Sequence, residues 1–291
     1  MSTASVSFET DRSTATSVYS VVSVALVLLL EGVLFRERLF AMTLQSSTIQ
    51  SFVLALSAVL LLAQARRVQL ARELQPMGIL LVSMGCAGLL LLDALKRPWI
   101  PTTPFLLAIC TFGSMWALFG AAEAKRELFP SAYLLLMTPL PTLLTVTIDL
   151  PLQKMSAALA AHAAQLVGIA TERSGTTVGL AHSEISLRII GDCNGLRSAI
   201  AMIAVSILLA WLLRARFWKA LAIVVGAVAI AYGANIVRLA SILALVSRFG
   251  DRFVGHLHTF ELWGDAVLFL ASVALVFQFA RVLGCRTFRE I

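Results

Sequence analysis

The sequence predicts an all-α polytopic membrane protein of about eight transmembrane helices with a small extracytoplasmic helix and β-hairpin insertion. Three observations predict it. First, 59% of the residues are hydrophobic and only 13% charged, with a mean hydropathy of +0.90, whereas soluble domains carry about 25% charged residues. Second, the apolar residues fall into runs of about 20, the length that crosses a hydrocarbon core of roughly 30 Å. Third, Lys and Arg collect in short clusters between the runs, as membrane topology requires. The net charge of +7 is therefore a topology signal. No basic stripe interleaved with aromatic residues marks a nucleic-acid partner.

Taken in order, the runs are 18–35, 48–65, 77–95, 103–122, 129–148, 195–213, 220–247 and 264–283. The fifth holds Pro130, Pro139 and Pro141 and is expected to be kinked or short. With both termini in the cytoplasm, twelve basic residues lie inside: Arg12, Arg66, Arg67, Arg72, Lys125, Arg126, Arg214, Arg216, Lys219, Arg281, Arg286 and Arg289. The short outer loops carry six, Arg36, Arg38, Lys96, Arg97, Arg248 and Arg252. That asymmetry sets the orientation. The N-terminal stretch has no basic n-region and no small-residue cleavage site, so the first run is expected to stay as an anchor. The chain divides into an N-terminal four-helix region, 1–128, and a second region, 129–291, that contains an extracytoplasmic segment, 149–192.

Within that segment, Leu152 to Val167 is rich in Ala and Leu and suits a helix lying along the membrane surface. Arg173-Ser174-Gly175-Thr176 marks a turn, and Ser183 to Ile189 alternates polar and apolar residues as a half-exposed strand does. A hairpin there leads into Gly191-Asp192-Cys193-Asn194-Gly195-Leu196-Arg197-Ser198, a polar knot that opens into the apolar run from Ala199.

Four scattered cysteines make no disulfide framework. Cys86 and Cys110 read as small buried hydrophobes, and Cys285 as an inert inner-face thiol on the opposite side from Cys193. Cys193 is different, because a helix N-terminus and a nearby cation both favour the reactive thiolate. Arg197, four residues on, is expected to share its helix face, while Asp192 acts in the opposite sense.

Depth converges on the same place. Cys193 lies 21 residues, about 32 Å, from Arg214; Arg238 lies 19 residues, about 28 Å, from Lys219; His258 lies 23 residues, about 34 Å, from Arg281. Each is about one membrane thickness from a basic inner anchor, so all three are expected at the outer surface. Such a trio suits acyl transfer. Cys193 attacks a peptide carbonyl, His258 carries the proton, and Arg238 stabilises the oxyanion or holds the substrate backbone. Asn235, three residues before Arg238, shares its face as a helper.

These motifs resemble the exosortase/archaeosortase family. The likeness is carried by Gly191 to Ser198, by Ala234-Asn235-Ile236-Val237-Arg238-Leu239, by His258 before Trp263, and by Leu128-Phe129-Pro130 through Pro139-Leu140-Pro141 upstream. It covers about 128–270, and the first four runs match only in kind. The resemblance implies a membrane cysteine protease/transpeptidase whose partners are membrane-anchored proteins. Their C-terminal sorting signal is a short motif, a transmembrane helix and a basic tail. It places the catalytic residues at Cys193, Arg238 and His258; Gly195, Arg197 and Asn235 are read beside them as supporting residues, and no cofactor or metal is expected. Leu262 stands where the family tends toward Gly, which keeps His256 as the alternative to His258.

Plainer readings stand beside these. Arg238 as a snorkelling interface residue competes with its place inside an apolar run. A metal site at His256 and His258 has no second cluster to complete it. Glu31, deep in the first run, reads as a structural polar contact, and Trp99 and Trp263 as interface anchors. The rival function is a non-enzymatic transporter or surface-polymer assembly factor. Transporters gather polar residues at the midplane of paired broken spans, whereas here they gather at one face.

Overall fold

The computed structural model describes residues 3–45, 48–95, 102–138, 142–181, 186–189, 195–250 and 257–289. It forms two compact units, Met1–Pro139 and Leu140–Glu290. The chain is mostly helical, as the apolar runs require.

The first unit holds α1 (Thr3–Leu34), α2 (Arg36–Gln45), α3 (Thr48–Ala65), α4 (Pro76–Ala94), α5 (Thr103–Phe119), α6 (Ala121–Ala124) and α7 (Leu128–Tyr133). A 3₁₀ turn, Leu134–Met137, follows α7. Its closest helix pair is α4 with α5, where small residues let the backbones meet. A side chain on Gly78 would strike Ala117 and Gly113, and one on Gly85 would strike the Cys110 sulfur. Tight small-residue contacts of this kind replace the hydrophobic drive that lipid removes. Cys110 is accordingly buried packing material. The Glu31 carboxylate accepts hydrogen bonds from Thr111 Oγ1 at 2.7 Å and Ser114 Oγ at 3.1 Å, so the acid ties α1 to α5. Arg38 on α2 is ion-paired with Asp93 on α4.

Glu127, at the start of α7, is 1% exposed, and its carboxylate oxygens accept no hydrogen bond among the described residues. Burial, reinforced by the neighbouring Glu123 charge and opposed by Arg126, pushes its pKa up to about 8. An acid whose folded pKa is raised contributes stability that is full below its unfolded pKa and falls as pH rises to the folded one. Thermal unfolding in detergent is therefore expected to shift to lower temperature from pH 5 to pH 8 and to level off above. Glu127→Gln should flatten that dependence.

The second unit holds α8 (Thr142–Leu166), β1 (Thr171–Ser174), β2 (Thr177–Leu180), β3 (Ser186–Arg188), α9 (Leu196–Leu212), α10 (Phe217–Phe249) and α11 (Leu257–Val282). The strands form one antiparallel sheet in the order β1-β2-β3, with Thr171 opposite Leu180 and Thr177 opposite Arg188. The turn falls at Gly175, as its sequence signals. A core of Met202, Leu213, Ile223, Ala227, Ala231, Val276 and Ala280 joins α9, α10 and α11, and Cys285 is buried in it as a free thiol. Trp263 is exposed, as an interface anchor would be.

Two elements differ from expectation. The expected run 129–148 is divided between the short α7, the 3₁₀ turn and the start of α8, because prolines concentrate there. And α8 is one continuous helix from Thr142 to Leu166, which joins the end of the expected span to the expected surface helix over 152–167. Its alanine face, Ala157, Ala160, Ala161 and Ala164, is buried with Leu239 and Leu243 of α10, and Ser156 Oγ lies 3.0 Å from Tyr232 Oη. Four small side chains on one face let α8 rise beside α10 even with Pro151 in its interior.

Among the described residues, three helical stretches are long and apolar enough to cross a membrane: Pro76–Ala94, Phe217–Phe249 and Trp263–Val282. Shorter apolar helices are Val18–Leu34, Gln50–Ala65, Thr103–Phe119, Leu128–Met137 and Leu196–Leu212. A 17-residue helix spans about 26 Å, short of a full hydrocarbon core. The arrangement is consistent with a polytopic membrane protein.

Candidate active site

Cys193 and His256 lie outside the described residues, and of His258 only its place in the first turn of α11 is described. The remaining candidates are Gly195, Arg197, Asn235 and Arg238. The structure brings two of them, Gly195 and Asn235, into direct contact.

Gly195 caps α9 with φ 84° and ψ −3°, a left-handed conformation. Only glycine adopts it without penalty. It is also buried against α10: a Cβ placed there would sit 3.1 Å from Asn235 Nδ2 and 3.3 Å from Asn235 Cγ. Asn235 is buried, and Arg238 follows it by three residues, about 4.5 Å along the helix.

The other flank of the cysteine segment is held as well. Ile189 donates its N–H to Thr176 O at 2.9 Å, continuing the sheet beyond β3. Its side chain is 1% exposed in the cluster that contains Leu239 and Leu243. Both described flanks of the cysteine segment, Ile189 and Gly195, thus lie against the 235–243 stretch of α10.

Gly195→Ala tests this docking. The left-handed backbone alone is expected to cost about 1–2 kcal/mol, and the added methyl must displace Asn235. A lower unfolding temperature in detergent and reduced turnover are the expected results.

Arg197 is exposed on the first turn of α9. α9 begins at Leu196, after the left-handed Gly195, and the i,i+4 relation expected between Arg197 and Cys193 involves a residue outside the described ones.

Arg238 has a partner that the sequence reading did not include. Its side chain is 14% exposed, and its Nε lies 2.6 Å from Asp265 Oδ1 on α11, where the carboxylate side is 50% exposed. The contact is an ion pair. The signal for it was an acid at the start of an apolar run: intramembrane charges pair with one another. Asp265 lies seven residues, about 10.5 Å, along α11 from His258, and two turns of helix return both to one face.

The cavity of about 750 Å³ between the α8–β1 turn and the end of α10 is a separate feature. It is lined by Ile169, Leu180, Ala181, Ser247 and Arg248 among others. Arg248 stands ten residues, about 15 Å, along α10 from Arg238.

No curated protein and no solved structure matches the chain. A family model described as transmembrane exosortase (Exosortase_EpsH) matches residues 43–278. The match takes in every candidate site residue, the sheet that leads into Cys193, and helices of both units. With most of its length matched in this way, the chain belongs to the transmembrane exosortase family.

Proposed function

We propose that this multi-pass membrane protein is a protein-sorting transpeptidase or protease. It cleaves C-terminal sorting signals of surface proteins through a thioacyl intermediate on Cys193. The site opens on the extracytoplasmic face of the inner membrane, with about eight crossings and both termini in the cytoplasm, as the distribution of Lys and Arg favours. The observation that carries the reading is the packing of Gly195 on Asn235, with Ile189 docked beside Leu239 and Leu243. It brings the two flanks of the cysteine segment to the stretch of α10 that bears Arg238.

The chemistry follows from the residue types. Cys193 gives its thiol proton to His258, and the sulfur attacks the scissile carbonyl to form a tetrahedral oxyanion. The Arg238 guanidinium stabilises that charge and stays cationic where lysine would lose its proton. His258 returns the proton to the departing amine as the C–N bond breaks, which leaves a thioester on Cys193. An acceptor amine, hydroxyl or water then attacks the thioester, forms the new acyl bond and regenerates the thiol. His256 is the alternative proton carrier. The substrate is a protein with a short motif, a transmembrane helix and a basic tail. The helix places the scissile bond at the membrane surface, and the tail holds the helix in register by the same charge rule that orients the enzyme.

The test is to trap the intermediate. Purified protein in lipid vesicles is mixed with a substrate carrying such a C-terminal signal, and the reaction is divided, one half quenched with hydroxylamine and the other with acid. A hydroxamate at the new C-terminus of the substrate, and a thioester on the Cys193 peptide by mass spectrometry, are expected. A cleaved substrate with no acyl group on Cys193 at any time would refute the mechanism.

A further inference from the structure

We propose that Asp265 is a positioning residue of this site, aiming the Arg238 guanidinium and clamping the His258 end of α11 against α10. The proposal rests on the reading of Cys193, Arg238 and His258 as the reacting groups.

An arginine on a long flexible stem inside an apolar stretch tends to extend its charge toward the nearest water. Arg238 does not: its side chain is largely buried, with Nε held 2.6 Å from the Asp265 carboxylate. The pair adds a polar tie to the apolar core that α10 and α11 share. A first tie is Gly226, against which the Phe279 ring packs so closely that a Cβ would stand 2.6 Å from Cε1. From Gly226 to Arg238 is twelve residues, about 18 Å, and from Phe279 back to Asp265 is fourteen, about 21 Å. The two helices therefore run antiparallel and are tied at both ends of this stretch. Beyond the Asp265 tie, α11 has only two more turns before His258. Without Asp265, those turns would have no charge contact holding them near Arg238, and the guanidinium would be free to swing away from the oxyanion position. The Asp265 carboxylate thus fixes where the guanidinium sits. A change in carboxylate reach should therefore be felt at the site.

The experiment compares Asp265→Asn and Asp265→Glu with the unmodified protein in lipid vesicles, with turnover normalised to the folded fraction. A misplaced stabilising group can reduce rate by about 100-fold. Asp265→Asn is expected to lower kcat by about 10- to 100-fold, with KM changed less than about threefold. Asp265→Glu keeps the charge but shifts the guanidinium, so an intermediate loss with an unchanged unfolding temperature is expected. In an Arg238→Lys background, Asp265→Asn should add little, because both changes act through one group. Wild-type kcat per folded molecule in either Asp265 variant would overturn the proposal, and so would full additivity with Arg238→Lys. Where Asp265→Asn does not fold, Asp265→Glu decides alone. Cys193→Ala run alongside separates the two levels. Processing retained there removes the reading of the site itself, whereas processing lost there but unchanged in the Asp265 variants removes only the role of Asp265.

Discussion

Cys193→Ala is expected to abolish processing of any protein that carries a C-terminal sorting signal, with a fall of about 10⁴- to 10⁶-fold in kcat. The size follows from what the sulfur does. It forms the covalent bond that splits peptide cleavage into two steps, and no neighbouring side chain in Gly191 to Ser198 is a comparable nucleophile at neutral pH. The methyl group removes the thiol without altering the flanking contacts at Ile189 and Gly195. Unfolding temperature and membrane yield should therefore match the unmodified protein. Residual turnover within tenfold of the unmodified protein would place the chemistry elsewhere. Cys193→Ser is expected to be nearly as inactive, because a hydroxyl has a far higher pKa than a thiol and His258 cannot ionise it as readily.

The second largest effect is expected from Arg238→Lys. Removing one oxyanion donor typically lowers kcat by about 10²- to 10³-fold. Lysine keeps the charge that Asp265 requires, so the carboxylate is not left uncompensated, but it loses the planar fork of donors. A large loss in kcat with KM little changed would mark a group that acts in the transition state. Loss confined to KM would instead assign Arg238 to substrate binding.

Most of the helices were legible because each apolar run is one helix and membrane spans report themselves by composition. The exceptions have physical causes. Prolines at 130, 139 and 141 break the fifth run. The fifth run was expected to end at 148, yet α8 continues from Thr142 to Leu166, with its alanine face buried on α10. That is a tertiary contact, invisible to local pattern. The contact between Gly195 and Asn235 was half visible, since both residues stood out as candidates, but their meeting required forty residues of intervening chain to fold back. Asp265 was missed because its meaning lies wholly in a partner 27 residues earlier. Local windows do not couple positions at that separation.

The pairing of Arg238 with Asp265 also bears on how the protein is made. An arginine near the outer end of an inserting apolar helix still carries a penalty, smaller than the roughly 2.5–3.5 kcal/mol that translocon scales give at the helix centre. Alone, α10 would meet that penalty; with α11 beside it, the opposite charges neutralise one another. The two segments are therefore best delivered to the bilayer together, as a helical hairpin released sideways from the insertion machinery. Truncation after α10 should leave a nascent chain that is retained there or degraded.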